Sequence, residues 1–116
     1  MEKVKVGIVG IGWWSDVLAG IIESSDKLDL RACYTRSKDK ATAFATKFKC
    51  EAMESYESLL ALGDLDGVIL TTPNSAHRAG AEAAARSGKH VFVEKPISNT
   101  LEDGRAMIGV CETAGV

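Results

Sequence analysis

The segment Val4 to Val9 is β-branched and, past Lys5, continuously apolar; it runs directly into Gly10-Ile11-Gly12 and then into a helical pattern from about Trp13 to Ile22. A strand of that composition needs cover on both faces, which a parallel sheet sandwiched between helices supplies. The same order recurs along the chain. A second strand fits Leu28 to Tyr34 and a second helix about Asp39 to Phe48, followed by a short third strand near Glu51 to Met53. Ser55 then caps a short helix through Leu62, stopped by Gly63. A fourth strand runs from Gly67 to Thr72, and after Pro73 an alanine-rich helix from Ser75 to Ser87 ends at Gly88. His90 to Val93 forms a fifth strand, and Thr100-Leu101-Glu102-Asp103 resembles a capping box opening a last helix to about Ala114. Strands alternating with helices through short loops predict an α/β fold: a doubly wound parallel sheet of about five strands in three αβα layers, with right-handed crossovers.

Length and composition agree with one domain over residues 1–116. Burial of roughly two thirds of the unfolded surface is expected at this size, enough for a core without metals or disulfides. Fourteen basic and sixteen acidic side chains give a formal charge of -2, so no basic field gathers phosphate backbones, and nucleic acid is not expected as a partner. Cys33, Cys50 and Cys111 are odd in number and widely spaced, with no C-x-x-C pair; neither a disulfide framework nor a metal site is expected. The apolar stretch from Val6 to Trp14 imitates a signal peptide but carries three glycines and no cleavage site, and is too short to span a membrane. A cytoplasmic location without membrane contact follows as the expectation.

Ligands of an open parallel sheet sit outside the carboxyl ends of its strands, near the point where strand order reverses. The residues at those ends are Gly10-Ile11-Gly12-Trp13-Trp14-Ser15, Thr35-Arg36-Ser37-Lys38, Thr71-Thr72-Pro73-Asn74 and Glu94-Lys95-Pro96. The first is a G-x-G-x-x-S variant of the dinucleotide fingerprint: Gly10 permits a tight turn and Gly12 lets the backbone approach a pyrophosphate at the helix N-terminus. Trp13 and Trp14 either close the core or flank the cofactor.

An adenosine ribose with a free 2′-hydroxyl calls for a carboxylate at the end of the second strand. None is present, since Asp29 lies at that strand's opposite end. Thr35, Arg36, Ser37 and Lys38 instead offer two hydroxyls and two cations, which suit a 2′-phosphate, so NADP is expected over NAD. A solvated loop opening the next helix is the alternative reading of this cluster. Thr71, Thr72, Pro73 and Asn74 place backbone N–H groups and an amide at the central edge; helix capping alone also accounts for Asn74. His77 is either a surface residue or a ligand, and His90 begins a strand at the wrong edge for catalysis. Glu94 and Lys95 end an apolar strand, with their charges expected on opposite faces.

Taken together, Gly7-Ile8-Val9-Gly10-Ile11-Gly12, Ser55-Tyr56-Glu57-Ser58-Leu59-Leu60, Thr72-Pro73-Asn74-Ser75-Ala76-His77, Gly88-Lys89-His90-Val91-Phe92-Val93-Glu94-Lys95-Pro96 and Thr100-Leu101-Glu102-Asp103-Gly104-Arg105-Ala106 resemble the N-terminal domain of the Gfo/Idh/MocA oxidoreductases, across essentially the whole chain. The resemblance implies a Rossmann-like fold and a nicotinamide cofactor. It further implies Glu94 and Lys95 near the nicotinamide ribose, Lys95 as the catalytic proton-transfer residue, and a small-molecule substrate of sugar or polyol type. Members of the family continue into a second domain that forms the substrate pocket, so the chain is expected to be a cofactor-binding portion, inactive by itself, with its fifth strand as an exposed edge that favours homo-oligomers. A non-catalytic nucleotide-binding or regulatory module is the competing reading. An S-adenosylmethionine site is a third, disfavoured by the Arg36 cluster because that ligand has no 2′-phosphate.

Overall fold

Five parallel strands, β1 (Val4–Val9), β2 (Leu28–Tyr34), β3 (Glu51–Ala52), β4 (Gly67–Leu70) and β5 (His90–Val93), form one sheet in the order β3-β2-β1-β4-β5. The structure, a computed structural model, describes residues 2–116, leaving Met1 outside the description. Five helices connect and follow the strands: α1 (Trp13–Glu23), α2 (Lys38–Phe48), α3 (Tyr56–Leu60), α4 (His77–Arg86) and α5 (Leu101–Ala114).

The pleat of β1 sorts its side chains between two cores. Val6 and Ile8 pack with Ala19, Ile22, Cys33 and Phe44, which places α1 and α2 on one face. Val9 packs with Leu59, Leu60, Val68, Ala81, Ala84 and Met107, which places α3, α4 and α5 on the other. The apolar run of β1 is thus buried on both sides, as a central parallel strand requires. Gly7 belongs to the second face: a Cβ there would lie 3.1 Å from Leu59 Cδ2, so the small residue lets α3 pack down on the strand.

Strand order sets the position of the site. From β1 the chain moves outward through β2 to β3, then crosses back to lay β4 against the other side of β1, with Val6 opposite Gly67 and Val9 opposite Leu70. The reversal point is therefore the crevice between the carboxyl ends of β1 and β4.

Helix starts follow local chemistry. Ser37 Oγ accepts the Lys40 N–H at the head of α2, and Ser55 and Ser58 cap α3 reciprocally, each hydroxyl accepting the other's backbone N–H at 3.0 and 3.1 Å. Thr100 Oγ1 accepts the Asp103 N–H at 3.0 Å, the one side of a capping box that is formed there.

Three boundaries differ from the sequence reading by two residues, the others by one at most. β4 stops at Leu70 because Thr71 and Thr72 turn to pack on the β1 loop. The segment after Pro73 is a 3₁₀ turn at Asn74–Ala76 before α4 begins at His77. α3 ends at Leu60, short of Gly63. Among the described residues no helix is long and apolar enough to cross a membrane.

Candidate functional site

The loop from β1 to α1 is clamped onto the end of β4. Gly10 donates its N–H to Tyr34 O at 2.9 Å, Thr71 donates its N–H to Val9 O at 2.9 Å, and Thr71 Oγ1 donates to Gly10 O. Gly10 has φ of +87°, and a Cβ there would lie 2.8 Å from Thr72 N and 2.9 Å from Thr71 O, so the turn needs glycine twice over. Gly12 differs: its backbone is extended, with φ of -166°, and a Cβ would meet no atom within 4 Å. That open space adjoins the N-terminus of α1, whose first N–H groups point outward and favour an anion.

Ser15 stands where the fingerprint has its third glycine, and it is 1% exposed. Its hydroxyl accepts the Gly12 N–H at 2.9 Å and donates to Gly12 O at 2.8 Å, which fixes the loop from within.

A cleft of about 330 Å³ opens over this crevice, with Gly12, Trp14, Thr72, Asn74, Glu94 and Lys95 among its walls. Trp13, also on the cleft, is 78% exposed, and Trp14 is 37% exposed, so neither closes the core. Their rings meet edge to face, 5.4 Å apart at 68°. The Trp14 indole N–H donates to Glu94 Oε2 at 2.6 Å, and the Lys95 N–H donates to Glu94 Oε1 at 3.1 Å. The indole hydrogen bond, followed by that backbone N–H, holds the Glu94 carboxyl below its ordinary range. Glu94 and Lys95 were expected on opposite faces of a strand; because β5 stops at Val93, both turn into the same cleft. The Lys95 ammonium has no ion pair or hydrogen bond among the described residues and is exposed, and the peptide bond that follows it, to Pro96, is cis.

His77, read from sequence as surface residue or ligand, is 1% exposed. Its Nε2 lies 3.0 Å from Thr72 O, and its Nδ1 lies 3.1 Å from Pro96 O and 3.2 Å from Ile97 O. The ring therefore sits between the turn after β4 and the turn after β5, with carbonyl oxygens facing both of its nitrogens. Thr72 Oγ1 is buried with no hydrogen-bond partner among the described residues. An orphaned hydroxyl on the cleft wall, the N–H groups at α1, and the space a Gly12 Cβ would fill all fit a dinucleotide.

A second hollow, of about 260 Å³, lies at the ends of β2 and β3, lined by Tyr34, Thr35, Arg36, Lys38, Met53 and Glu54 among others. Arg31, Arg78 and Arg86 are all in ion pairs, whereas Arg36, like Arg105 on α5, is exposed and in none among the described residues, and of these two only Arg36 lies at this hollow. Two cations face one carboxylate there. Ser37 is spent largely on capping α2. The described residues contain no group of three or more potential metal ligands.

Sequence reasoning missed three of these contacts. Ser15 could have been found, since a serine three residues after a helix cap is a capping-box position. The Trp14–Glu94 and His77 contacts join residues that only the sheet order brings together.

Known proteins share this arrangement. The profile of the Gfo/Idh/MocA family, described as an oxidoreductase family with an NAD-binding Rossmann fold, matches residues 4–116. The 2,7-anhydro-N-acetylneuraminate hydratase of Escherichia coli is 33% identical over 97% of this chain and 30% of its own length. The dTDP-3,4-didehydro-2,6-dideoxy-alpha-D-glucose 3-reductase of Streptomyces violaceoruber is 30% identical over 99% of this chain and 35% of its own. The crystal structure of KijD10, a 3-ketoreductase from Actinomadura kijaniata in complex with NADP and TDP-benzene, superposes with a TM-score of 0.95 at 27% identity, covering 99% of this chain and 36% of that one. The chain thus spans about a third of the length of these relatives. With the glycine turn, the crevice and the Glu94-Lys95 corner all in place, the chain belongs to the Gfo/Idh/MocA oxidoreductase family, as its NAD-binding Rossmann fold.

Proposed function

We propose that residues 1–116 are the NADP-binding domain of an oxidoreductase that transfers a hydride between NADP(H) and a carbonyl or hydroxyl group of a sugar, polyol or related small molecule. The observation that carries the cofactor choice is Arg36: an exposed guanidinium outside any ion pair of the described residues, at the end of β2, in a hollow shared with Lys38 and Thr35. Guanidinium binds a phosphate bidentately, and no carboxylate ends β2 to accept a ribose 2′-hydroxyl.

Gly10, Gly12 and the first N–H groups of α1 hold the pyrophosphate, and Thr35 and Arg36 the 2′-phosphate, with Ser37 able to add the hydroxyl hydrogen that its α2 cap leaves free. Thr71, Thr72, Pro73 and Asn74 form the central wall, with His77 between that wall and the β5 turn. Trp13 and Trp14 flank the cofactor, and Glu94 and Lys95 face its nicotinamide ribose. The bound nicotinamide supplies or accepts the hydride. Lys95 orients the substrate oxygen with its ammonium and gives or takes the proton there. The dTDP-sugar reductase name of one relative and the inositol dehydrogenase name of another, 28% identical, support the substrate class.

Outside this chain's residues the relatives are twice as long again, and the substrate pocket belongs to that remainder; the 116-residue chain by itself binds cofactor with little turnover. Three free cysteines suit a reducing, cytoplasmic setting. The outer edge of β5 suits pairing between copies. Calorimetric titration with NADPH and with NADH tests the reading: tighter NADPH binding is expected, and a stronger response to NADH overturns the NADP assignment.

A further inference from the structure

We infer that Trp14 is a positioning residue for the nicotinamide half of the cofactor: its indole N–H pins the Glu94 carboxylate across the cleft, so that the carboxylate faces a ribose hydroxyl. The inference rests on the NADP-binding reading above.

The contact is unusual in its reach. Trp14 lies in the first turn of α1, behind β1, and Glu94 lies just past β5; β4 runs between those two strands. The 2.6 Å hydrogen bond therefore bridges the cleft above the end of β4, joining residues 80 apart in sequence. Glu94 has no ion pair among the described residues, and its two hydrogen bonds there are from the Trp14 indole and the Lys95 N–H. Each takes one oxygen. A carboxylate has about four acceptor positions, so one remains free on each oxygen for a hydroxyl donor. The Trp14 ring is itself steadied by the edge-to-face contact with Trp13.

Direction follows from the sheet. With the pyrophosphate at the head of α1 and the 2′-phosphate at Arg36 beyond β2, the other half of the dinucleotide extends over β4 toward β5. Glu94 is at that end and Arg36 at the other. Loss of the Trp14 contact should therefore weaken the nicotinamide half and spare the adenosine half, whereas a merely structural Trp14 would disturb the α1 N-terminus and both halves together.

The test titrates wild type, Trp14→Phe, Glu94→Ala and the double variant with NADPH and with adenosine 2′,5′-bisphosphate, which carries only the adenosine half. Trp14→Phe is expected to weaken NADPH about three- to tenfold, the range of one hydrogen bond to a charged group reduced by exposure. Bisphosphate affinity is expected to stay within about twofold of wild type, since no contact at that end is removed. The double variant should bind NADPH no more weakly than Glu94→Ala. Unchanged NADPH affinity in Trp14→Phe, equal loss of both ligands, or additive losses in the double variant overturns the inference. Should Trp14→Phe not fold, Glu94→Ala decides alone: it must lower NADPH affinity selectively and shift the emission of the chain's two tryptophans, and failure of either overturns the inference. A wild type that binds neither ligand overturns the functional reading instead, and this inference with it.

Discussion

Gly10 and Gly12 sit two residues apart in one loop, yet the structure assigns their missing side chains to different tasks. Gly10→Ala places a Cβ 2.8 Å from Thr72 N and 2.9 Å from Thr71 O in a backbone with φ of +87°. The left-handed conformation costs a non-glycine residue about 1–2 kcal/mol. The colliding atoms are main chain and cannot rotate away, so the β4 turn must shift, which adds a comparable overpacking cost of about 1–2 kcal/mol. A loss of about 3 kcal/mol lowers the melting temperature of a domain this size by about 10 °C. Gly12→Ala meets nothing within 4 Å and keeps an extended backbone that alanine adopts freely, so stability should change by less than about 0.5 kcal/mol. On the proposed function its methyl group would enter the space a pyrophosphate takes, and NADPH affinity should then fall at least about tenfold, worth ~1.4 kcal/mol. Denaturant unfolding and calorimetric titration of both variants separate the two effects. Equal losses of stability, or wild-type NADPH binding by Gly12→Ala, would refute the division of labour.

Arg36→Ala should weaken NADPH by about tenfold while leaving NADH unchanged, as judged by titration with each. Lys95→Met, introduced in a full-length protein carrying these residues and assayed for the proposed hydride transfer, should lower kcat by about 10²–10⁴ while the Kd for NADPH moves little; unchanged turnover removes Lys95 from the mechanism. Tyr56 donates its hydroxyl to Gly80 O at 2.6 Å, and Tyr56→Phe should cost about 1 kcal/mol in denaturant unfolding. Burial raises the Tyr56 phenol well above its ordinary value of 10.0, so only the unfolded chain ionises readily there. Its contribution is complete below that value and is lost as pH climbs above it, so wild type should lose stability in strong base more steeply than Tyr56→Phe.

The elements were legible because their signals are local. Glycine turns, β-branched runs and serine caps act within a few residues, and β1, β2, β5 and the alternation of strand and helix follow from them. Boundaries failed where tertiary contact outweighed propensity. Thr71 and Thr72 read as strand by composition, but Thr71 is drawn to Val9 O and Gly10 O, which turns the chain before the strand can continue. Glu94 and Lys95 read as alternating faces, a rule that holds only while the ladder lasts, and the ladder ends at Val93.

The site divided along the same line. Gly10, Gly12 and Arg36 could be placed beside the two hollows because each is set by its own strand end, and strand ends are found by period alone. His77 could not be placed, because its partners are carbonyls at Thr72, Pro96 and Ile97 and no residue type marks a carbonyl acceptor. Trp14 was ambiguous for a related reason: an indole suits a core or a cleft equally, and the decision lay with Glu94, eighty residues away and one strand removed. What local chemistry leaves undetermined is how neighbouring loops are held to one another. In a doubly wound sheet that depends on the order β3-β2-β1-β4-β5, which sets the turns after β4 and β5 side by side and brings the head of α1 within reach of both. The residues that sit between those turns, Trp14 and His77, are therefore the ones a linear reading reaches last.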